Sequence, residues 1–153
     1  MRLITTKVYF FDELSENAQK VALEKNNEIN FDIFDWWEST FEDAKYNSSL
    51  DIKSFDIDRR NYCNVSFIVD AANTANTIIE NHGKSCETFK VAQKYLKRKK
   101  HTDETNQAFL ENLSELYLKT LKVEHEYLGS NEAIKETIIA NEFEFTESGK
   151  LFI

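Results

Sequence analysis

The chain has 153 residues, of which 41% are apolar and 30% charged, and its formal net charge is −8. A chain of this length buries enough apolar surface for a stable domain without disulfides or metal ions. It contains no proline and only three glycines, which excludes flexible linkers and glycine-rich phosphate-binding loops over most of its length.

Charge is distributed in three blocks along the chain. Residues 1–58 carry a net charge of −7, residues 59–101 one of +6, and residues 102–153 one of −7. A basic block between two acidic ones predicts a surface that contacts another macromolecule. Neither a signal peptide nor a run of about 20 apolar residues is recognisable, so a protein of the bacterial cytoplasm without a membrane partner is expected.

The first third of the chain predicts a strand followed by two helices. β-Branched and aromatic residues favour a strand over residues 3–10, and Ser15 is typical of the N-cap of a helix over residues 16–27. Four apolar residues then recur at helical spacing and predict a second helix, the helix 32–46, which is capped by Asp32 or Asn30 and reaches Tyr46. They are Ile33, Trp37, Phe41 and Ala44.

The middle of the chain predicts a β-hairpin and a helix. Residues 50–57 and 62–69 have the composition of strands, and the short segment between them predicts a hairpin loop. The alternation of apolar and polar side chains slips near Ser54, which indicates a bulge. Asp70 is typical of the N-cap of a helix that ends at Asn81.

Three more helices and a second hairpin follow. Residues 86–99 and 103–128 have helical periodicity and are expected to pair as an αα-hairpin, with Gly129 ending the longer helix. Ser130 or Asn131 is the N-cap for a last helix that reaches Ala140. Ser148–Gly149 predicts the turn of a C-terminal hairpin.

Strands therefore occur as hairpins instead of alternating with helices, which favours an α+β fold with an antiparallel sheet packed against helices. The prediction is one α+β domain over residues 1–153, with residues 86–128 as a protruding helical hairpin. Cys63 and Cys86 are both expected to be reduced and buried.

Several stretches of the chain resemble one group of proteins. They are FDELSENAQ at residues 11–19, DWWE at 35–38, FEDAK at 41–45, the hairpin at 56–63, NHGKSCETFK at 81–90 and the end from residue 126. Together they are similar to small phage and prophage proteins, some of them described as antitoxin-like. The resemblance implies an origin in a mobile element and carries no catalytic residue. This chain has Arg60 where a glycine is expected in the hairpin.

A cluster of cations ends the basic block. The cationic segment consists of Lys97, Arg98, Lys99 and Lys100, and it forms the last turn of the predicted helix 86–99, where the helix dipole favours positive charge. Such a cluster can bind an acidic protein or nucleic acid. The alternative is a structural role, in which the cations solubilise the helix end and pair with acidic residues of the next helix. An acidic protein is preferred to nucleic acid as partner, because the acidic blocks on either side repel a polyanion.

The first acidic block contains a second candidate contact surface, which is negatively charged. Glu38, Glu42 and Asp43 lie within two turns of the predicted helix 32–46, where Trp37 belongs to the apolar stripe and Trp36 is therefore the exposed indole. An exposed tryptophan among acids is typical of an interface anchor, and carboxylates compete with nucleic acid for a basic groove. An ordinary solvated face and structural packing of the tryptophans are the alternatives.

The tip of the first hairpin concentrates polar side chains. Two carboxylates two residues apart are suited to Mg²⁺, so the alternative function is a small metal-dependent hydrolase or nucleotide-processing enzyme centred on this tip. A turn stabilised by local hydrogen bonds explains the same residues. The residues concerned are Asp56, Asp58, Arg59, Arg60, Asn61 and Tyr62, with His82 and Cys86 expected nearby.

The sequence as a whole predicts a non-enzymatic acidic phage or mobile-element protein that binds and inhibits a macromolecular partner. The partner would be a host defence nuclease, a nucleoprotein complex or a toxin. In the first case the protein would act like an anti-CRISPR protein, and in the last like an antitoxin. No catalytic residue, metal site or cofactor is predicted, because no catalytic or metal-ligand motif occurs. The predicted contact residues are Trp36, Glu38, Glu42, Asp43, Arg59, Arg60, Tyr62, Lys97, Arg98, Lys99 and Lys100.

Overall fold

The computed structural model describes residues 1–33 and 35–152, and it confirms the α+β class. Strands β1 (Tyr9–Phe10), β4 (Glu144–Phe145) and β5 (Leu151–Phe152) form one antiparallel sheet in the order β1-β4-β5, and β2 (Leu50–Asp56) and β3 (Tyr62–Phe67) form a second antiparallel pair. In chain order the elements are β1 (Tyr9–Phe10), a 3₁₀ turn (Phe11–Glu13), α1 (Glu16–Lys25), α2 (Ile29–Asp32), α3 (Glu38–Ser48), β2 (Leu50–Asp56), β3 (Tyr62–Phe67), α4 (Ala71–Asn81), α5 (Glu87–Leu96), α6 (Asp103–Leu128), α7 (Asn131–Ala140), β4 (Glu144–Phe145) and β5 (Leu151–Phe152).

The chain divides into two compact units. The first unit combines residues 1–36 with residues 125–153, and the second unit is the continuous segment 37–124. Helix α6 begins in the second unit, and its last turn belongs to the first. The single domain predicted from the sequence stays a prediction. Within the described residues, no helix combines the length and the apolar character needed to cross a membrane.

The first unit is built around a small apolar core. The predicted N-caps of its helices are confirmed, because the Ser15 hydroxyl accepts a hydrogen bond from the Ala18 amide (3.2 Å) and the Ser130 hydroxyl accepts one from Ala133 (3.3 Å). These caps satisfy amides that a helix leaves free at its first turn. The buried side chains of this core are Phe11, Leu14, Ala18, Ala22, Ile134, Ile138 and Phe145.

The predicted strand over residues 3–10 is mostly absent from the sheet. Only Tyr9 and Phe10 pair with β4, opposite Phe145 and Glu144, and residues 1–8 are exposed. Because β4 is two residues long, it has no further backbone groups with which the preceding residues pair. The strand propensity of LITTKV is therefore not realised in this sheet.

The C-terminal hairpin turns at Gly149, as predicted. Gly149 is buried and has φ of +88°, a conformation that costs a side-chain-bearing residue about 1–2 kcal/mol. A Cβ atom at this position would lie 2.1 Å from the carbonyl oxygen of Ala18. The turn thus rests directly on the backbone of α1, and only glycine allows this approach.

The second unit contains the β2–β3 hairpin and confirms two predictions. The register shifts between Ile52 and Ser54, which is the predicted irregularity. The Asp70 carboxylate accepts a hydrogen bond from the Asn73 amide (2.7 Å) and caps α4. At the hairpin tip Asn61 has φ of +53°, so it supplies the left-handed turn residue for which a glycine was expected at position 60. The largest fully buried apolar side chains of this unit are Leu50, Ile78, Leu113 and Leu121.

The predicted helix 32–46 is wrong at both ends. The chain forms the short helix α2, stops, and begins α3 only at Glu38, so Ile33 lies outside α3 and is 52% exposed. The buried Asn30 side chain of α2 donates to the Leu128 carbonyl oxygen (2.8 Å), a contact 98 residues apart that holds α2 in place. Helix α3 continues to Ser48 and ends at Ser49, which has φ of +53°.

Helix α5 is shorter than predicted. It begins after Cys86, which takes the N-cap position instead of the predicted Ser85. Cys86 is exposed, so only Cys63 fits the expectation that both cysteines are buried. Burial raises the pKa of the Cys63 thiol to about 11. The helix ends at Leu96, with Lys97 as its C-cap and the Arg98 amide bonded to the Tyr95 carbonyl oxygen (3.2 Å). The cationic segment therefore follows the helix instead of forming its last turn.

Candidate functional site

The cationic segment lies in the connection between α5 and α6. All four of its side chains are exposed. Lys97 is the C-cap of α5, and its amide donates to the Gln93 carbonyl oxygen (3.2 Å). The cations stay beside the last carbonyl groups of the helix, where the dipole favours positive charge.

These four cations form no ion pair with a carboxylate in the described part of the chain, where Lys90, which pairs with Glu87 (3.3 Å), is the one Lys or Arg that does. The ring of His82 lies 3.6 Å from the Asp43 carboxylate. Among residues 1–33 and 35–152, the segment is therefore not neutralised by acids of α6. Its charge is available to a partner.

A groove of about 460 Å³, the α5/α6 groove, lies beside the cationic segment. Its floor is apolar and its rim carries three cations and one acid. The lining residues are Val91, Lys94, Tyr95 and Arg98 from α5 and its end, and Thr105, Ala108, Phe109, Asn112, Glu115, Leu116 and Lys119 from α6. An apolar floor with a cationic rim suits an occupant that is both apolar and acidic.

Tyr95 fixes the floor of this groove. Its ring stacks on Phe109 (centroids 4.3 Å apart) and on His101 (4.2 Å), and its hydroxyl donates to Asn106 Oδ1 (2.6 Å). Burial, and secondarily the charge of Asp70, raises the pKa of the Tyr95 hydroxyl, so the phenol stays protonated and keeps this bond. The three contacts hold the C-terminal part of α5 against the start of α6.

The acidic residues predicted as a contact surface are not equivalent. Glu38 and Glu42 are exposed on α3, whereas the Asp43 carboxylate accepts a hydrogen bond from Tyr117 (2.9 Å). Trp36 belongs to the first unit, and its ring packs edge-on against Phe31 (6.0 Å) and His125 (5.1 Å) in that unit. Trp36 and Trp37 are both half-buried, so the expected contrast between an exposed and a buried indole is not observed.

The tip of the first hairpin forms a turn around Asp56. Asp56 Oδ1 accepts hydrogen bonds from the amides of Asp58 (2.9 Å) and Arg59 (3.0 Å), while Arg59, Arg60 and Tyr62 are exposed. Within residues 1–33 and 35–152, no group of three or more His, Cys, Asp or Glu side chains is placed to hold a metal ion. The geometry of this tip is that of a local turn, the alternative left open by the sequence.

The turn predicts a low pKa for Asp56. The amide of Arg59, and next that of Asp58, stabilises the ionised carboxylate and holds its pKa below the ordinary value of 3.8. A carboxylate whose pKa is lower in the folded state than in the unfolded chain stabilises the fold at every pH above its unfolded-state pKa. This stabilisation is lost as the pH falls through the folded-state pKa. Carboxyl ¹³C NMR titration of the native protein and of the urea-unfolded chain measures both values. Equal values in the two states would contradict this account.

A buried polar cluster joins four helices of the second unit. It consists of Asp43, Ser48, His82, Thr88 and Tyr117. The Ser48 hydroxyl lies 2.7 Å from Tyr117 Oη and 3.2 Å from His82 Nε2, and Tyr117 donates to Asp43 Oδ2. The other ring nitrogen of His82 bonds to the Thr88 hydroxyl. The members come from α3, the end of α4, α5 and α6, so the cluster fixes these helices together.

The hydrogen bonds determine where the protons lie. Because the single hydroxyl proton of Tyr117 goes to Asp43, Ser48 donates to Tyr117. His82 Nε2 then donates to Ser48, and His82 Nδ1 accepts the Thr88 proton. Burial raises the pKa of the Tyr117 hydroxyl well above its ordinary value, so it remains a donor. Each hydroxyl or ring N–H of the cluster has an acceptor.

This cluster differs from a Ser-His-Asp catalytic triad. Ser48 is fully buried and directs its proton to Tyr117, and Asp43 lies beside Nε2 of His82 instead of Nδ1. In a triad the histidine accepts the serine proton at one nitrogen and the carboxylate holds the other. The observed bonds therefore position helices and leave Ser48 without access to a substrate.

A second groove, of about 560 Å³, lies over the buried polar cluster. Its lining includes Asp43, His82 and the exposed Cys86, but no residue of the hairpin tip at residues 56–62. His82 and Cys86 thus line one groove, whereas the sequence placed them with the tip. No residue pattern indicates the cluster, since its members are spread over positions 43 to 117 without a recognisable spacing.

Comparison with known proteins adds no further constraint. No family model, curated protein or solved structure matches this chain.

Proposed function

We propose that this protein is a non-enzymatic binding protein whose cationic segment contacts an acidic surface of a macromolecular partner. One observation carries this proposal: four consecutive cations are all exposed beside the α5/α6 groove, in a protein whose net charge is −8. Charge that is not neutralised internally attracts and orients a partner of opposite sign. The α5/α6 groove beside the segment adds apolar surface that such a partner covers.

The class of partner follows from the resemblance to phage and prophage proteins. A small protein of that origin that binds without catalysis acts by occupying a surface its partner needs. We therefore propose a host defence nuclease, a nucleoprotein complex containing one, or a toxin as the partner, and inhibition as the outcome. The proposal assigns the contact to an acidic region of that partner, because the segment is cationic.

Charge reversal of the cationic segment is expected to abolish partner binding. The variant replaces Lys97, Arg98, Lys99 and Lys100 together by glutamate. Affinity for the partner should fall at least about tenfold, because attraction becomes repulsion. The measurement is capture from a host-cell lysate with the tagged protein, identification of the retained protein by mass spectrometry, and titration of that protein against both forms.

Two controls make this result specific. Replacing Lys7, Lys20, Lys25 and Lys150 by glutamate changes the net charge equally, and these exposed side chains all belong to the first unit. That variant should keep the partner. The pair Glu38→Lys and Glu42→Lys tests the acidic surface of α3. If the Glu38→Lys, Glu42→Lys double variant loses the partner while the glutamate variant of the cationic segment binds it fully, the acidic face of α3 is the contact surface.

A further inference from the structure

We infer that the α5/α6 groove holds an amphipathic helix of the partner, with an apolar stripe flanked by carboxylates. This inference rests on the proposed function and adds the shape and chemistry of the segment that is bound. The groove supplies apolar side chains along its floor and cations along its rim. Helix-in-groove binding uses this combination of an apolar face and matching charges.

The lining residues form two helical stripes. On α5 they recur at residues 91, 94, 95 and 98, and on α6 at residues 105, 108, 109, 112, 115, 116 and 119. Spacings of three and four residues place each set along one side of its helix. The α6 stripe extends about 21 Å at 1.5 Å per residue. The α5 stripe extends about 10 Å, so a third helix would meet α6 over about four turns and both helices over about two.

An occupant of this groove must satisfy its own backbone. The groove lies between two helices, whose backbone groups are already bonded within each helix, so it offers no strand edge for pairing. An extended peptide would leave amide and carbonyl groups without partners against the apolar floor, which is costly. A helix bonds these groups internally and presents only side chains.

The charges determine the flanks of the occupant. Lys94, Arg98 and Lys119 line the groove, and Glu115 is the acid among the lining residues. Acidic side chains beside the apolar stripe of the occupant therefore meet cations. Nucleic acid fits less well, because its bases stack on exposed aromatic faces, whereas Tyr95 and Phe109 are 4% and 3% exposed and stack on each other.

A designed peptide tests the inference directly. The probe is a fluorescein-labelled peptide of about 15 residues with leucines at helical spacing and glutamates on both flanks. We expect saturable binding by fluorescence anisotropy. Ala108→Trp, at an exposed position on α6 that lines the groove, should weaken it at least tenfold by filling the floor. Lys122→Trp, exposed on the same helix but outside both grooves, should leave it unchanged.

Different results separate the two proposals. Equal binding of a scrambled peptide of the same composition, no effect of Ala108→Trp, or no binding to the native protein would each overturn the helical occupant. Partner capture that still depends on the cationic segment would then leave the proposed function standing. A labelled single-stranded DNA that binds more tightly than the peptide, and is lost in Ala108→Trp, would assign the groove to nucleic acid instead.

Discussion

Replacing Gly149 by alanine is expected to lower the free energy of unfolding by about 2–4 kcal/mol. The new Cβ would lie 2.1 Å from the Ala18 carbonyl oxygen, and φ at this position is +88°. Steric overlap and backbone strain therefore act together, and relief of either moves the hairpin away from α1. Urea denaturation followed by circular dichroism measures the change.

Gly83→Ala provides the matched control for this substitution. At that position a Cβ would meet only Cys86 Sγ, 3.9 Å away, and no positive φ requires glycine. The denaturation midpoint of Gly83→Ala should stay close to that of the native protein. A Gly149→Ala protein with the native midpoint would show that the turn does not rest on α1 as described.

Tyr117→Phe should destabilise the protein by about 1–3 kcal/mol. The hydroxyl of Tyr117 accepts from Ser48 and donates to Asp43, so its removal leaves a buried serine proton without its acceptor. Phenylalanine keeps the packing of the ring, which limits the change to the polar bonds. Urea denaturation gives the free energy, with Tyr46→Phe, 68% exposed on α3, as a control expected to change it by less than about 0.5 kcal/mol.

A double-mutant cycle tests whether the cluster acts as a unit. Ser48→Ala removes the group that Tyr117→Phe leaves unsatisfied, so the double variant should lose less stability than the two single losses together. Strict additivity would mean that Ser48 and Tyr117 do not interact in solution.

The elements that the sequence predicted correctly have local signals. Ser15, Asp70 and Ser130 cap helices because their side chains reach amides three residues along the chain. The slip in alternation at Ser54 marks a real shift of register. Such features depend on neighbours in the sequence, and a pattern of residue types is enough to recognise them.

The features that the sequence missed depend on distant contacts. The bond of the buried Asn30 to the Leu128 carbonyl joins positions 98 residues apart, and nothing near position 30 indicates it. The buried polar cluster joins Ser48 to Tyr117, 69 residues apart, so no local pattern contains it. The charge pattern predicted that α5 would include the cations, because the helix dipole favours them there, whereas the helix ends before them.

The cationic segment shows both sides of this comparison. Its position in the chain and its charge are evident from the printed sequence. Two further facts come only from the structure: the segment forms no ion pair within the described residues, and an apolar groove lies beside the segment, between α5 and α6. Sequence alone therefore identified a candidate surface, and the structure adds the α5/α6 groove beside it.

The division of the first unit between two distant stretches of chain has a consequence for synthesis on the ribosome. Residues 37–124 emerge as one continuous piece, whereas β1 and α1 need β4 and α7, which are translated more than 100 residues later. At about 5–20 residues per second, the N-terminal residues wait several seconds for their partners. The nascent chain is therefore expected to complete residues 37–124 first, with the apolar side chains of α1 accessible to chaperones until α7 and β4 have emerged.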